Sequence, residues 1–301
     1  MFNGLKRRYL LLRRYYAASG YKYSFELFVL VFVVVASLVG GTLQVLHVSS
    51  IISIVSFLSI MSLVIAIPVS IRNSRVSELE QSLPDALKHM SLVLKAGGTV
   101  EGALQEAADG EYGPLSADLK VALKKLKDGK SFEEVLTEAS LEGGSVLFKR
   151  TASIIVDAKK AGAGMAGVIS EIAEDARDVL RIKRERYSRT TMHVLFLLVS
   201  SVLLSPFIFG FAITIVNYIS VGIASSMKGS SGFDLCELNS LLLFFIGVES
   251  IIAAFAVGII REGKIARYIL YAPLMVLAAL LVFELGKWFS FTIVGGAPMV
   301  C

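Results

Sequence analysis

The chain has 301 residues, 55% of them hydrophobic and only 18% charged, with a formal net charge of +5 and a mean hydropathy of +0.70. That balance excludes an ordinary soluble enzyme, and six prolines scattered among long apolar blocks exclude a disordered or collagen-like chain. Two cysteines are too few for a disulfide framework, and His47, His89 and His193 lie too far apart for a metal centre, so neither a metal nor a cofactor is expected.

Residues 1–24 form a basic arm. Lys6, Arg7, Arg8, Arg13, Arg14 and Lys22 stand among Tyr9, Leu10, Leu11, Leu12, Tyr15 and Tyr16 with no acid, the pattern of an interfacial helix on anionic lipid rather than of a nucleic-acid arm. From Leu27 to Ile71 no residue is charged. A single helix of that length would run about 67 Å at 1.5 Å per residue, and a bilayer core is only about 30 Å thick. Residues 25–71 are therefore expected to fold back near His47 to Ser50 as a transmembrane hairpin with spans Leu27–Leu46 and Ile51–Ile71.

Residues 72–190 alone could form a polar domain. They carry 19 basic and 19 acidic residues, so the excess positive charge sits in the arm. Val76, Leu79, Leu83, Leu87, Met90 and Leu94 form one helical stripe, with Ser82 expected to restart the helix ahead of Pro84. Gly97 and Gly98 end it, Thr99 caps a short helix, Pro114 opens the next, and Ser131 with Glu134 spells a capping box. Val146–Ala161 and Met165–Arg189 complete six helices, with Val168, Ile172, Ala176 and Val179 expected inward. The stretches beginning at Lys95, Lys127 and Lys160 echo one another at offsets of 32 and 33 residues, each a basic helix end, a glycine exit and a new helix.

Residues 191–301 hold three more apolar blocks. Thr190–Met227 contains Pro206 and Gly210 and is taken as one crossing, Leu238–Ile260 is interrupted only by Glu249, and Tyr268–Leu285 carries Glu284 near its end. The fold class is therefore all-α, a polytopic membrane protein of about five transmembrane helices with a cytoplasmic six-helix bundle. Basic residues flanking the spans place the N-terminus and residues 72–190 in the cytoplasm and the C-terminus outside, with Trp288 and Phe289 at the outer interface.

Two nucleotide motifs are deceptive. Gly129-Lys130-Ser131 ends like a phosphate-binding loop, but Lys124 stands where that loop needs glycine. Gly162, Gly164 and Gly167 match a dinucleotide fingerprint without a βαβ unit around them, so a turn between helices is expected. No span contains Asp, which argues against an intramembrane aspartyl enzyme. Glu249 is the pointed feature, because a carboxylate at mid-span costs about 2.5–3.5 kcal/mol or more and should face protein, water or a partner. It serves either a polar contact with a partner's charged segment or a hydrogen bond to neighbours such as Ser250 or Asn239. Glu284 with Lys287 reads as a solvated pair at a helix end. Lys120, Lys124 and Lys127 share a helical face that is either a docking ridge for an acidic surface or a solvated face. Cys236 and Cys301 fall on one side of the membrane in this topology, so their pairing stays open.

Leu83-Pro84-Asp85-Ala86-Leu87, Leu94-Lys95-Ala96-Gly97-Gly98-Thr99-Val100-Glu101-Gly102-Ala103-Leu104, Gly113-Pro114-Leu115 and Gly129-Lys130-Ser131 resemble the type II secretion system F-domain family, the platform proteins of type IV filament machines. Ser205-Pro206-Phe207-Ile208-Phe209-Gly210 and Gly258-Ile259-Ile260-Arg261-Glu262-Gly263-Lys264 resemble its archaeal and tight-adherence branch. The resemblance implies a non-enzymatic inner-membrane platform that couples a separate hexameric secretion ATPase to the extraction of pilin-like subunits, and a homo-oligomer, a dimer, as its working form. The chain departs from larger relatives in carrying one F-domain rather than two. The other class to test is a transporter or channel subunit using Glu249 and Glu284 as an ion relay.

Overall fold

Long apolar runs without helix breakers, and polar runs with apolar residues at three- and four-residue steps, both satisfy the backbone most readily as helix. The computed structural model describes residues 25–45, 50–226, 235–262 and 271–294. Their regular structure is entirely helical: α1 (Phe25–Val45), α2 (Ser50–Lys95), α3 (Val100–Asp109), α4 (Pro114–Lys127), α5 (Phe132–Glu142), α6 (Val146–Lys160), α7 (Met165–Leu198), a π segment (Val199–Leu204), α8 (Ser205–Ser226), α9 (Leu235–Glu262) and α10 (Ala272–Val294). Among the described residues four helical runs are long and apolar enough to cross a membrane: those of α2, of α7 with the π segment and α8, of α9, and of α10. The remaining apolar helix, α1, occupies the first span of the expected hairpin. The chain is an all-α polytopic membrane protein. The arm over residues 1–24, most of the expected turn at 47–50 and Cys301 lie outside the described residues, and with them the proposed cysteine pairing.

The chain divides into two compact units, Val69–Arg186 and the remainder. Six helical segments build the first: the end of α2, then α3 to α6, and the start of α7. Leu79, Leu83, Leu87, Leu104, Leu115, Phe132, Phe148, Ile155 and Ile169 fill its core, and each fully buried side chain of this size contributes about 1.5–3 kcal/mol. Thr99 caps α3 and Ser131 with Glu134 closes the capping box on α5. The three sequence echoes share one geometry. Gly97, Gly129 and Gly162 take φ of +89°, +96° and +69°, and the amide after each donates back five residues, from Gly98 to the Val93 carbonyl, Lys130 to Lys125 and Ala163 to Ala158. Each is a Schellman helix end, where a left-handed residue favours glycine. The two nucleotide look-alikes are thus turns between helices.

Two expectations for this unit are corrected. The helix does not restart at Ser82. α2 runs unbroken through Pro84, and the Ser82 hydroxyl donates to the Glu78 carbonyl inside the helix. An interior proline costs about 3 kcal/mol, and burial of Leu83, Pro84 and Leu87 offsets it. Val179 points outward at 37% exposure, because the inward face of α7 is Ile169, Ile172, Ala173, Ala176 and Leu180.

In the other unit Ile52, Ile213, Leu243, Ile246, Ala279, Leu280 and Phe283 form the core. α8 and α10 approach backbone to backbone: a Cβ on Gly210 would stand 2.2 Å from the Phe283 carbonyl oxygen, and one on Gly286 2.6 Å from that of Phe207. Small residues permit such contact where lipid supplies no hydrophobic drive between helices. α10 continues to Val294, so Glu284 and Lys287 do not close a helix end. They pair at 2.6 Å inside it, with the Lys287 ammonium 4.8 Å over the Phe283 ring.

Candidate functional site

Two features answer to the sequence candidates, one in each unit. α4 buries Leu115, Leu119 and Ala122 and turns Lys120, Lys124 and Lys127 to solvent on its opposite face. None of these three lysines makes an ion pair among the described residues. Their neighbours are committed elsewhere. Lys125 reaches Glu138 and Glu142 on α5 at 3.0 Å each, and Lys130 reaches Glu138 at 2.7 Å. Hydrogen bonds donated to Glu142 and then Glu138 push the Lys125 ammonium pKa up, while those donated by Lys130 and Lys125 hold the Glu138 carboxyl down. The ridge is therefore three uncommitted cations beside a neutralised patch. At the other edge of α4, Asp118 faces Arg75 in a short ion pair, yet burial raises its carboxyl pKa more than the guanidinium and its hydrogen bond lower it.

Glu249 lies mid-way along α9, and its partner is neither Ser250 nor Asn239. The Ser205 hydroxyl donates to Glu249 Oε2 at 2.7 Å. Ser205 is the first residue of α8, immediately after the π segment, and its amide closes that wide turn on the Ser200 carbonyl. The cause is Pro206, which lacks an amide hydrogen and whose ring would clash with the carbonyl four residues back; an expanded turn relieves that clash. Ser201 in the π segment and Ser250 on α9 are buried with hydroxyls that find no hydrogen-bond partner among the described residues. The sequence carried a signal for this pairing in Ser205-Pro206, a donor placed at a forced helix distortion. Chemically the pair offers one acid held by one hydroxyl donor, a contact point for a cation or a polar segment. No group of three or more metal-ligating side chains occurs among the described residues.

A model of the family "Type II secretion system (T2SS), protein F" matches residues 86–213. The chain carries a type II secretion system F domain. That match spans the last turns of α2, all of α3 to α7, the π segment and the start of α8, so it includes Lys120, Lys124, Lys127 and Ser205 but not Glu249. Among relatives, the "Uncharacterized protein MJ1286" of Methanocaldococcus jannaschii is 23% identical over 210 residues, 69% of this chain and 34% of that protein. The "Uncharacterized protein MJ0779" of the same organism is 27% identical over 125 residues, 41% of this chain and 42% of that protein. The chain thus spans about a third and about two fifths of these relatives' lengths. No solved structure matches.

Proposed function

We propose that the chain is a non-enzymatic platform for assembling a type IV pilus-like filament or a secretion pseudopilus, drawing its force from a separate hexameric ATPase. The F domain at residues 86–213, joined to helices long and apolar enough to cross a membrane, carries this reading. In it the N-terminus and residues 72–190 lie in the cytoplasm and the C-terminus outside, as the flanking basic residues require. The relatives in Methanocaldococcus jannaschii support placing it in the archaeal branch, and this reading takes a homo-oligomer, a dimer, as the working form.

The lysine face of α4 is the docking surface for the motor, since uncommitted cations steer and orient an acidic partner at little desolvation cost. Glu249 is the intramembrane contact for the charged N-terminal segment of a pilin-like subunit. α7, the π segment and α8 are one helical run, so a push on the start of α7 shifts Ser205 and with it the partner of Glu249. Filament counts in a deletion strain complemented with Glu249→Gln test the contact. Filaments are lost while the variant is expressed normally; wild-type counts contradict the contact. Ion relay through Glu249 and Glu284 is disfavoured by the pairing of Glu284 with Lys287, and substrate-dependent flux in proteoliposomes would revive it.

A further inference from the structure

α1 and the first turns of α2 belong to the same compact unit. A Cβ on Gly40 would stand 3.9 Å from the Ser53 carbonyl oxygen, so the two helices come close at that level. Beside this contact Ala36, Ser37, Gly40 and Gly41 of α1 and Ser53 of α2 line a groove of about 280 Å³. The α1 wall sets small residues four apart twice, Ala36 with Gly40 and Ser37 with Gly41, the spacing at which apolar helices approach backbone to backbone. Within one copy that face is only partly used. Among the described side chains of α1 Ala36 alone is buried; Ser37 and Gly41 are exposed, and a Cβ on Gly41 would meet nothing within 4 Å.

Ser53 makes the groove more than a gap between helices. Only 9% exposed, it lines the groove with a hydroxyl that finds no hydrogen-bond partner among the described residues. Further along α2 the same residue type is satisfied: Ser59 donates to the Val55 and Pro273 carbonyls, and Ser62 to that of Ser59. An apolar span supplies no water to meet an idle hydroxyl, so Ser53 calls for an acceptor brought in by whatever fills the groove. No residue from Leu27 to Ile71 is charged, so the groove suits an uncharged helix and offers nothing to a charged segment. The occupant must also be slender and must present a carbonyl near the level of Gly40. α1 itself meets all three demands. A glycine four residues on leaves a helix carbonyl uncovered, so Gly40 and Gly41 bare the carbonyls of Ala36 and Ser37 close to that level.

We propose that the groove receives α1 of a second copy of this chain. About a twofold axis along the membrane normal, each α1 enters the other copy's groove, and each Ser53 hydroxyl donates to the Ala36 or Ser37 carbonyl of the other copy. Such a pairing satisfies both hydroxyls with one self-complementary surface and closes on itself. The inference rests on the dimeric working form proposed above, supplies its interface, and is independent of the motor and the filament. Its test follows the mass of the full chain in detergent by light scattering over a range of protein concentration, with disulfide trapping in membranes alongside. Ser37→Cys should cross-link two copies on oxidation beyond the level of the wild type, and Val35→Cys, exposed on the opposite side of α1, should not. Gly41→Leu, which has open space within one copy, should convert the dimer to a monomer of unchanged helical content. Ser53→Ala gives up no bond within one copy and should weaken the dimer about threefold, a second reading should Gly41→Leu fail to insert. A dimer that both Gly41→Leu and Ser53→Ala leave intact overturns the groove as the interface while the dimer stands. So does equal trapping at positions 37 and 35. A wild type that is monomeric at every concentration overturns the groove and the dimer together.

Discussion

Ser205 and Glu249 are the pair on which the membrane unit's polar chemistry turns. Removing the donor leaves a carboxyl inside an apolar span without its partner, and an unmet buried group costs about 1–3 kcal/mol. Ser205→Ala should therefore lower the melting temperature in detergent, whereas Ser240→Ala, exposed on the same α9, should not; equal melting would contradict the bond's role. Glu249→Gln keeps an acceptor for Ser205 and should melt like the wild type, which separates stability from filament assembly. Asp118 gives a pH test outside the membrane. Its folded pKa is raised, mainly by burial, so the folded state holds its proton more firmly than the unfolded chain does. Stability from this group is fullest below the unfolded carboxylate value, falls as pH rises to the folded value, and is level above it. Asp118→Asn should remove that fall from a plot of melting temperature against pH; an identical slope would contradict the assignment.

At the scale of elements, packing explains both what the sequence disclosed and what it concealed. The helix ends were legible because Gly97, Gly129, Thr99 and Ser131 act locally, through φ and through a single capping bond. The passage of α2 through Pro84 was not, since burial of Leu83, Pro84 and Leu87 overrides the local signal, and neither was the outward turn of Val179, one position off an otherwise correct face. The lysine ridge was legible as a face, but that Lys125 and Lys130 are neutralised by α5 depends on which helices are neighbours. Glu249 was found by its cost, and Ser205 was missed because the partner comes from a different helix placed by the π segment. The α8–α10 contact gives the sharpest prediction. Gly210→Ala drives a methyl against the Phe283 carbonyl and should cost about 1–3 kcal/mol by overpacking, while Gly247→Ala, with open space around it, should be neutral. Matching melting temperatures for the two would contradict this packing.

For the whole molecule, the F domain at residues 86–213 and the long apolar helices make a membrane-embedded protein whose polar unit presents an uncommitted lysine face on α4. In our proposal that face receives force generated elsewhere, and the chain supplies position rather than chemistry. Paired with acidic groups of a motor, three lysines would add affinity that weakens with salt, because exposed charges are screened over about 8 Å at physiological ionic strength. The most direct measurement is binding of the cognate secretion ATPase to the nanodisc-embedded chain, comparing wild type with Lys120→Glu, Lys124→Glu and Lys127→Glu combined. The account predicts saturable, salt-sensitive binding that the triple variant loses while its membrane insertion and melting stay unchanged. Undiminished binding by a properly inserted triple variant would contradict it.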